Sequence, residues 1–158
     1  MAATTAEKVA DYIIRSAHDS GALITNLKLQ KLVYYAQAWH LALFDEPLFD
    51  DPIEAWVHGP VVPSIYSKFR NFGWNPIGLD TDEVDLPEDL QEHIDEVIEV
   101  YGGFSGWDLE RLTHSEEPWR KARGDLPPDE PSSDEISHED MKEYYRTKLD
   151  EQEETEEN

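Results

Sequence analysis

The chain has 158 residues, no cysteine and a formal net charge of −23, from 36 Asp and Glu against 13 Lys and Arg. That length suits one domain with its own core, and the absence of thiols excludes a disulfide framework, thiolate catalysis and cysteine-ligated zinc. So acidic a surface repels phosphate backbones and anionic membranes, so neither nucleic acid nor membrane is an expected partner. The acid is either a binding surface for a basic partner or a general adaptation to a salt-rich, halophilic host, where screening removes most self-repulsion. Residues 1–8 show no secretory pattern, and no apolar run approaches the roughly 20 residues of a membrane span. The expectation is a soluble cytoplasmic protein.

In chain order, Thr4-x-x-Glu7 has the form of a capping box. It predicts a first helix with Val9, Ile13 and Ala17 inward, stopped by Gly21. Thr25 caps a second helix over 26–43, with Leu29, Leu32, Val33, Ala36, His40 and Leu43 on one stripe and Gln30, Lys31, Tyr34 and Gln37 opposite. With most of its faces apolar or aromatic, this is the expected central helix. Leu48-Phe49 and Ile53–Val57, separated by Asp50-Asp51-Pro52, predict a small β-hairpin. Gly59-Pro60 then turns the chain and Pro63 starts a third helix, with Gly73 as its stop. After an irregular loop, Asp85-x-Pro87-Glu88 opens a helix carrying Leu90, Ile94, Val97 and Tyr101, and a shorter one covers 106–114. The fold expected is mainly α, a compact single-domain helical bundle with a small β-hairpin after the second helix.

Three regions follow from composition. Residues 1–123 form the globular core. Residues 124–149 comprise a Pro/Ser/acid connector and a last helix capped by Ser137, with Met141, Tyr144, Tyr145 and Leu149 along it. Residues 150–158 have no apolar side chain to offset ordering and are expected to be disordered.

The search for chemistry starts with the histidines. His40 lies mid-stripe and reads as a buried, backbone-bonded ring. His58 closes a candidate strand, His114 sits at a helix end, and His18, His93 and His138 occupy exposed-looking helical positions. There is no His-Glu-x-x-His, no Gly-x-Ser-x-Gly elbow and no phosphate loop with its lysine. No catalytic residue, metal site or cofactor is therefore assigned. A metal-dependent hydrolase built on Glu54, His58 and His114 remains the enzyme alternative. Large rings are numerous: Tyr34, Tyr35, Trp39, Trp56, Trp107 and Trp119. Lys28, Gln30, Lys31 and Tyr34 form either a basic-aromatic partner face or an internal polar network.

Two blocks carry a resemblance. The first, residues 27–69, contains Lys28-Leu-Gln-Lys-Leu32, Tyr34-Tyr35, Ala36-Gln37, Trp39-His40, Pro47-Leu48-Phe49, Glu54-Ala-Trp56 and Gly59-Pro60-Val-Val-Pro63. The second, LTHSEEPWRKAR at 112–123, contains Thr113-His114 and Pro118-Trp119. Order and spacing resemble the Panacea domain, the SocA-like antitoxin family, also labelled phage-associated GepA-like. The heavy acidic decoration and the tail are not part of that pattern.

The resemblance implies a helical, non-enzymatic domain of prokaryotes and their prophages, the antitoxin half of a toxin–antitoxin pair. Its expected partner is a cognate toxin encoded adjacently and neutralised by direct protein–protein interaction. The SocA type is instead understood as an adaptor delivering its toxin to an ATP-dependent protease. The motif positions become partner-binding or signature candidates: Lys28, Gln30, Lys31, Tyr34, Tyr35, Trp39, Glu54, Trp56, His58, Gly59, Pro60, Thr113, His114, Pro118 and Trp119. Toxin identity, contacting face and oligomeric state do not follow from the sequence.

Overall fold

The computed structural model describes residues 2–78 and 83–157, without the side chains of 154–157. The irregular loop expected before Asp85 lies partly outside these residues. Helix α1 (Ala6–Asp19) is followed by α2 (Asn26–Phe44), strands β1 (Glu54–Trp56) and β2 (Gly59–Val61), and α3 (Pro63–Phe69), which a short 3-10 turn (Arg70–Phe72) extends. Then come α4 (Glu88–Tyr101), α5 (Gly106–Ser115), α6 (Glu117–Arg123) and α7 (His138–Glu157). The predicted class, a mainly helical domain with one two-stranded hairpin after the second helix, is the observed one. Among the described residues no helix is long and apolar enough to cross a membrane.

The centre is α2. Thr25 caps it by accepting from the Lys28 amide, and Asp45 ends it in the left-handed conformation at φ 58°. Nearly its whole circumference is buried, with α1, α4, α5 and α7 packed around it. Its polar side chains therefore meet protein on every side. Gln37 shows the consequence: its amide donates to the Phe49 carbonyl (2.7 Å) and accepts from the Leu48 amide (2.7 Å).

That clamp corrects the predicted hairpin. With their backbone groups taken by Gln37, Leu48 and Phe49 do not pair with 53–57. The hairpin joins β1 to β2 instead, antiparallel, with Glu54 opposite Val61, Ala55 opposite Pro60 and Trp56 opposite Gly59. The chain reverses at Val57-His58, and Gly59-Pro60, expected to be the turn, lies in β2. Gly59 has φ +107°, a conformation that L side chains rarely adopt. Pro60, which cannot donate, faces Ala55, whose own N–H turns to the opposite side and reaches the Asp134 carbonyl (2.8 Å). On that same side the Ile136 amide donates to the Ile53 carbonyl (2.8 Å). The connector thus runs along β1 as a third, bridge-like strand.

Smaller corrections concern helix ends and one face. Thr5, not Thr4, caps α1, accepting from the Lys8 amide. Leu43, expected inward, is exposed, while its neighbours Ala42 and Phe44 meet Arg146 of α7 and His93 of α4. His93, expected outside, is buried and donates to the Ala36 carbonyl at 2.9 Å. At the C-terminus Ser137 receives the Asp140 amide as predicted (3.1 Å), but α7 continues to Glu157 through the segment expected to be disordered. Once a helix is nucleated, each added residue gains a hydrogen bond, and Glu is a good helix former even without apolar contacts.

A candidate partner interface beside the hairpin

The signature residues from the two sequence blocks meet at the hairpin. Lys31 reaches from α2 to donate to the Pro60 carbonyl at 3.0 Å and is fully buried. Burial pulls its amine down to about 7, with Glu110 opposing the shift. A Cβ on Gly59 would lie 2.5 Å from Lys31 Cε and 2.9 Å from the Thr113 hydroxyl oxygen, so only glycine leaves room for this contact. Gln30 accepts from the Val62 amide (2.9 Å) and donates to Asn26 (2.9 Å). The helix α2, the hairpin and α5 are locked together by these few groups.

The second block fastens β1 from its other side. Trp119 donates to the Trp56 carbonyl (2.8 Å) and stacks on His114, ring centroids 4.0 Å apart. Burial lowers the His114 pKa, and its Nε2 has no hydrogen-bond partner among the described residues. Pro118 stands in the first turn of α6, where its missing N–H costs nothing. Arg123 donates to the carbonyls of Ala55 (2.9 Å) and Pro127 (2.9 Å), tying α6 to both the hairpin and the connector.

Deeper in, Tyr35 donates to Glu116 (2.7 Å) and stacks on Tyr101 at 3.9 Å. Tyr145 of α7 donates to the same carboxyl oxygen (2.9 Å), and Tyr34 bonds to Tyr145 (3.1 Å). Trp39 donates to the Tyr101 hydroxyl (2.8 Å). Burial raises the Glu116 pKa against the pull of its two tyrosine donors, and burial also raises Tyr34, Tyr35 and Tyr145. Lys28 is half-buried, donating to the Gly102 carbonyl at 2.6 Å. The basic-aromatic face drawn on α2 is therefore an interior network for Gln30, Lys31 and Tyr34, with only Lys28 partly open.

Glu54, Trp56 and His58 differ, because they line a cleft of about 590 Å³. Leu27, Gln30 and Lys31 form its α2 wall, Tyr66, Arg70 and Trp74 the wall beyond the hairpin, and Pro131–Ser133 its rim. Glu54 accepts from the Trp56 indole (2.9 Å), and His58 pairs with Glu110. Trp74 and Trp107 stack at the mouth with centroids 5.3 Å apart, and His58 stands edge-on to both, at 5.5 and 5.8 Å. The two tryptophans are 62% and 51% exposed. Among the described residues no group of three or more His, Asp or Glu side chains could hold a metal. The three residues of the hydrolase alternative have separate partners: Glu54 the Trp56 indole, His58 Glu110, and His114 the Trp119 ring.

Residues 29–120 match the family described as antitoxin SocA-like, Panacea domain. The chain belongs to this family. It is 31% identical over 127 residues to "Antitoxin SocA" of Caulobacter vibrioides, an alignment covering 72% of this chain and 68% of that protein. No solved structure matches it. The Panacea-domain span begins inside α2 and ends in α6, so it takes in the hairpin, the Lys31–Gly59–Thr113 contact and the Trp119 anchor.

Four residues central to this arrangement were not among the sequence candidates: Trp74, Glu116, Arg123 and Tyr145. Glu116 and Arg123 are charges in helical segments that look solvated until their partners are known. Tyr145 was read as apolar periodicity, without its hydroxyl. Trp74 follows Gly73 in a segment without periodicity, and its only signal was a large ring next to a helix stop.

Proposed function

We propose that this chain is the antitoxin of a prokaryotic toxin–antitoxin pair and neutralises its toxin by direct protein–protein binding. The observation that carries this reading is membership of the SocA-like antitoxin family, through a match spanning most of the chain and of its Caulobacter relative. The geometry agrees with a binding role: the signature side chains brace one corner, and the open surface beside it is an aromatic cleft rather than a convergent acid–base constellation. The toxin is taken to be encoded by the adjacent reading frame, with both proteins acting in the cytoplasm. No catalytic step is required of this chain.

Co-expression tests the proposal. The neighbouring gene should arrest growth alone and be harmless beside this protein. A neighbour that is innocuous, or that stays toxic beside the chain, would sink the reading. Sequestration and delivery to an ATP-dependent protease separate in the same experiment. A stable soluble complex with unchanged toxin levels marks the first, and protease-dependent loss of toxin marks the second.

A further inference from the structure

The cleft beside the hairpin brings exposed rings and a carboxylate together. Its mouth exposes two stacked tryptophans, whose burial elsewhere in the fold would remove a large apolar area from water. Its lining includes the Glu54 carboxylate, which has one oxygen on the Trp56 indole, while Glu110, outside the lining and mostly buried, pairs with the lining residue His58. At the rim Ser132 donates to Asp134 (3.2 Å), a carboxylate next to the lining rather than in it. The two cations of the lining counter this weakly. Lys31 is capped by the Pro60 carbonyl and burial draws its amine to about 7. Arg70 is exposed and has no ion-pair partner among the described residues.

Exposed tryptophan faces beside carboxylates are the surroundings that a guanidinium or ammonium recognises, by cation–π attraction and charge pairing together. The whole-chain charge of −23 draws such a group toward the protein from a distance. We infer that the cleft receives a segment of the partner toxin in which a basic side chain, arginine above all, adjoins a large apolar one. The apolar side chain fills the space between Leu27, Trp56 and Tyr66, and the basic group lies against Trp74, Trp107 and Glu54. This rests on the antitoxin reading and assigns the face and the chemistry that it leaves open.

The test titrates the purified product of the neighbouring reading frame, in an inactivated form, against the full chain and four variants. Trp74→Ala/Trp107→Ala should weaken binding at least about thirtyfold, the scale of truncating interface anchors. Glu54→Gln, which preserves an acceptor for the Trp56 indole, should weaken it severalfold. Arg70→Glu should tighten it, by replacing an exposed cation of the lining with a carboxylate. Leu43→Ala, 41% exposed at the end of α2 opposite Leu27, should bind as the parent does. Wild-type affinity should also fall as salt rises.

Unchanged binding by the tryptophan pair variant overturns the inference, as does weakened binding by Arg70→Glu, which lies on an exposed side chain and does not depend on the tryptophan variant folding. If the parent chain self-associates and the tryptophan variant does not, the occupant is a second copy and the inference also falls. A parent chain that never binds the toxin removes the antitoxin reading itself, whereas binding that no cleft variant alters removes only the assignment of this face.

Discussion

Gly59→Ala probes the contact on which the corner depends. Two costs can be worked from the geometry. At φ +107° an alanine meets the left-handed penalty, about 1–2 kcal/mol. Its Cβ would stand 2.5 Å from Lys31 Cε and 2.9 Å from the Thr113 oxygen, so neighbours must shift, and overpacking of this kind costs about 1–3 kcal/mol. Lys31 cannot swing aside freely, because it is fully buried and bonded to Pro60. The total is about 3 kcal/mol, or a fall in Tm of about 6–12 °C for a chain of this size. Urea melts followed by tryptophan fluorescence and by circular dichroism would measure it. Gly124→Ala separates the two terms, since Gly124 has φ +61° with nothing within 4 Å of an added Cβ. With ψ −127° it lies outside the left-handed helical well, and the alanine should lose about 1–3 kcal/mol from backbone strain alone. If Gly59→Ala loses no more than Gly124→Ala, the close approach of α2, β2 and α5 is not what restricts this position.

Lys31 should leave a pH signature. Its folded pKa of about 7 lies below the ordinary lysine value of 10.5, so between these values the unfolded chain holds a proton that the folded one does not. Stability therefore rises with pH across that window, by up to about 1.4 kcal/mol per unit. Lys31→Met should remove this slope, read as the difference between the two proteins' urea midpoints from pH 7.5 to about 9.5. Tyr35→Phe withdraws one of the two hydroxyl donors from the buried Glu116 carboxyl and should cost about 1.5–3 kcal/mol in the same melts. Ending the chain after Leu149 should leave Tm within about 2 °C of the parent, because Met141 and Tyr145, the buried anchors of α7, precede the cut.

Most of the architecture was legible from periodicity and punctuation. The stripe of α4 and the caps at Thr25 and Ser137 are local signals, and local hydrogen bonds realise them. The hairpin was placed correctly but its strands were not. The Leu48-Phe49 backbone is taken by Gln37, eleven and twelve residues earlier in the chain, and no pattern of alternation reports a side chain that substitutes for a strand. Wheel angles likewise set Lys31, Gln30 and Tyr34 on a polar face of α2, and polar faces usually point to water. Here α2 is surrounded, so that face became a set of buried bonds to β2 and α7. Of the candidate site residues, Glu54, Trp56 and His58 reached an open surface, whereas Tyr34, Tyr35, Thr113 and Trp119 went inside. Trp74 escaped notice because it joins Trp107 across more than thirty residues.

The Asp134–Ile136 strip along β1 and the Tyr145 hydroxyl on Glu116 set an order of events during synthesis. A nascent chain that stops before residue 134 has a hairpin with one bare edge, and one that stops before Met141 leaves the tyrosine side of α2 uncovered. The long-range pairings of α7 with α2 and Glu116 can form only after Tyr145 has left the ribosome. Until then α2 lacks the cover that Met141 and Tyr145 give it, and the Glu116 carboxyl lacks one of its two tyrosine donors.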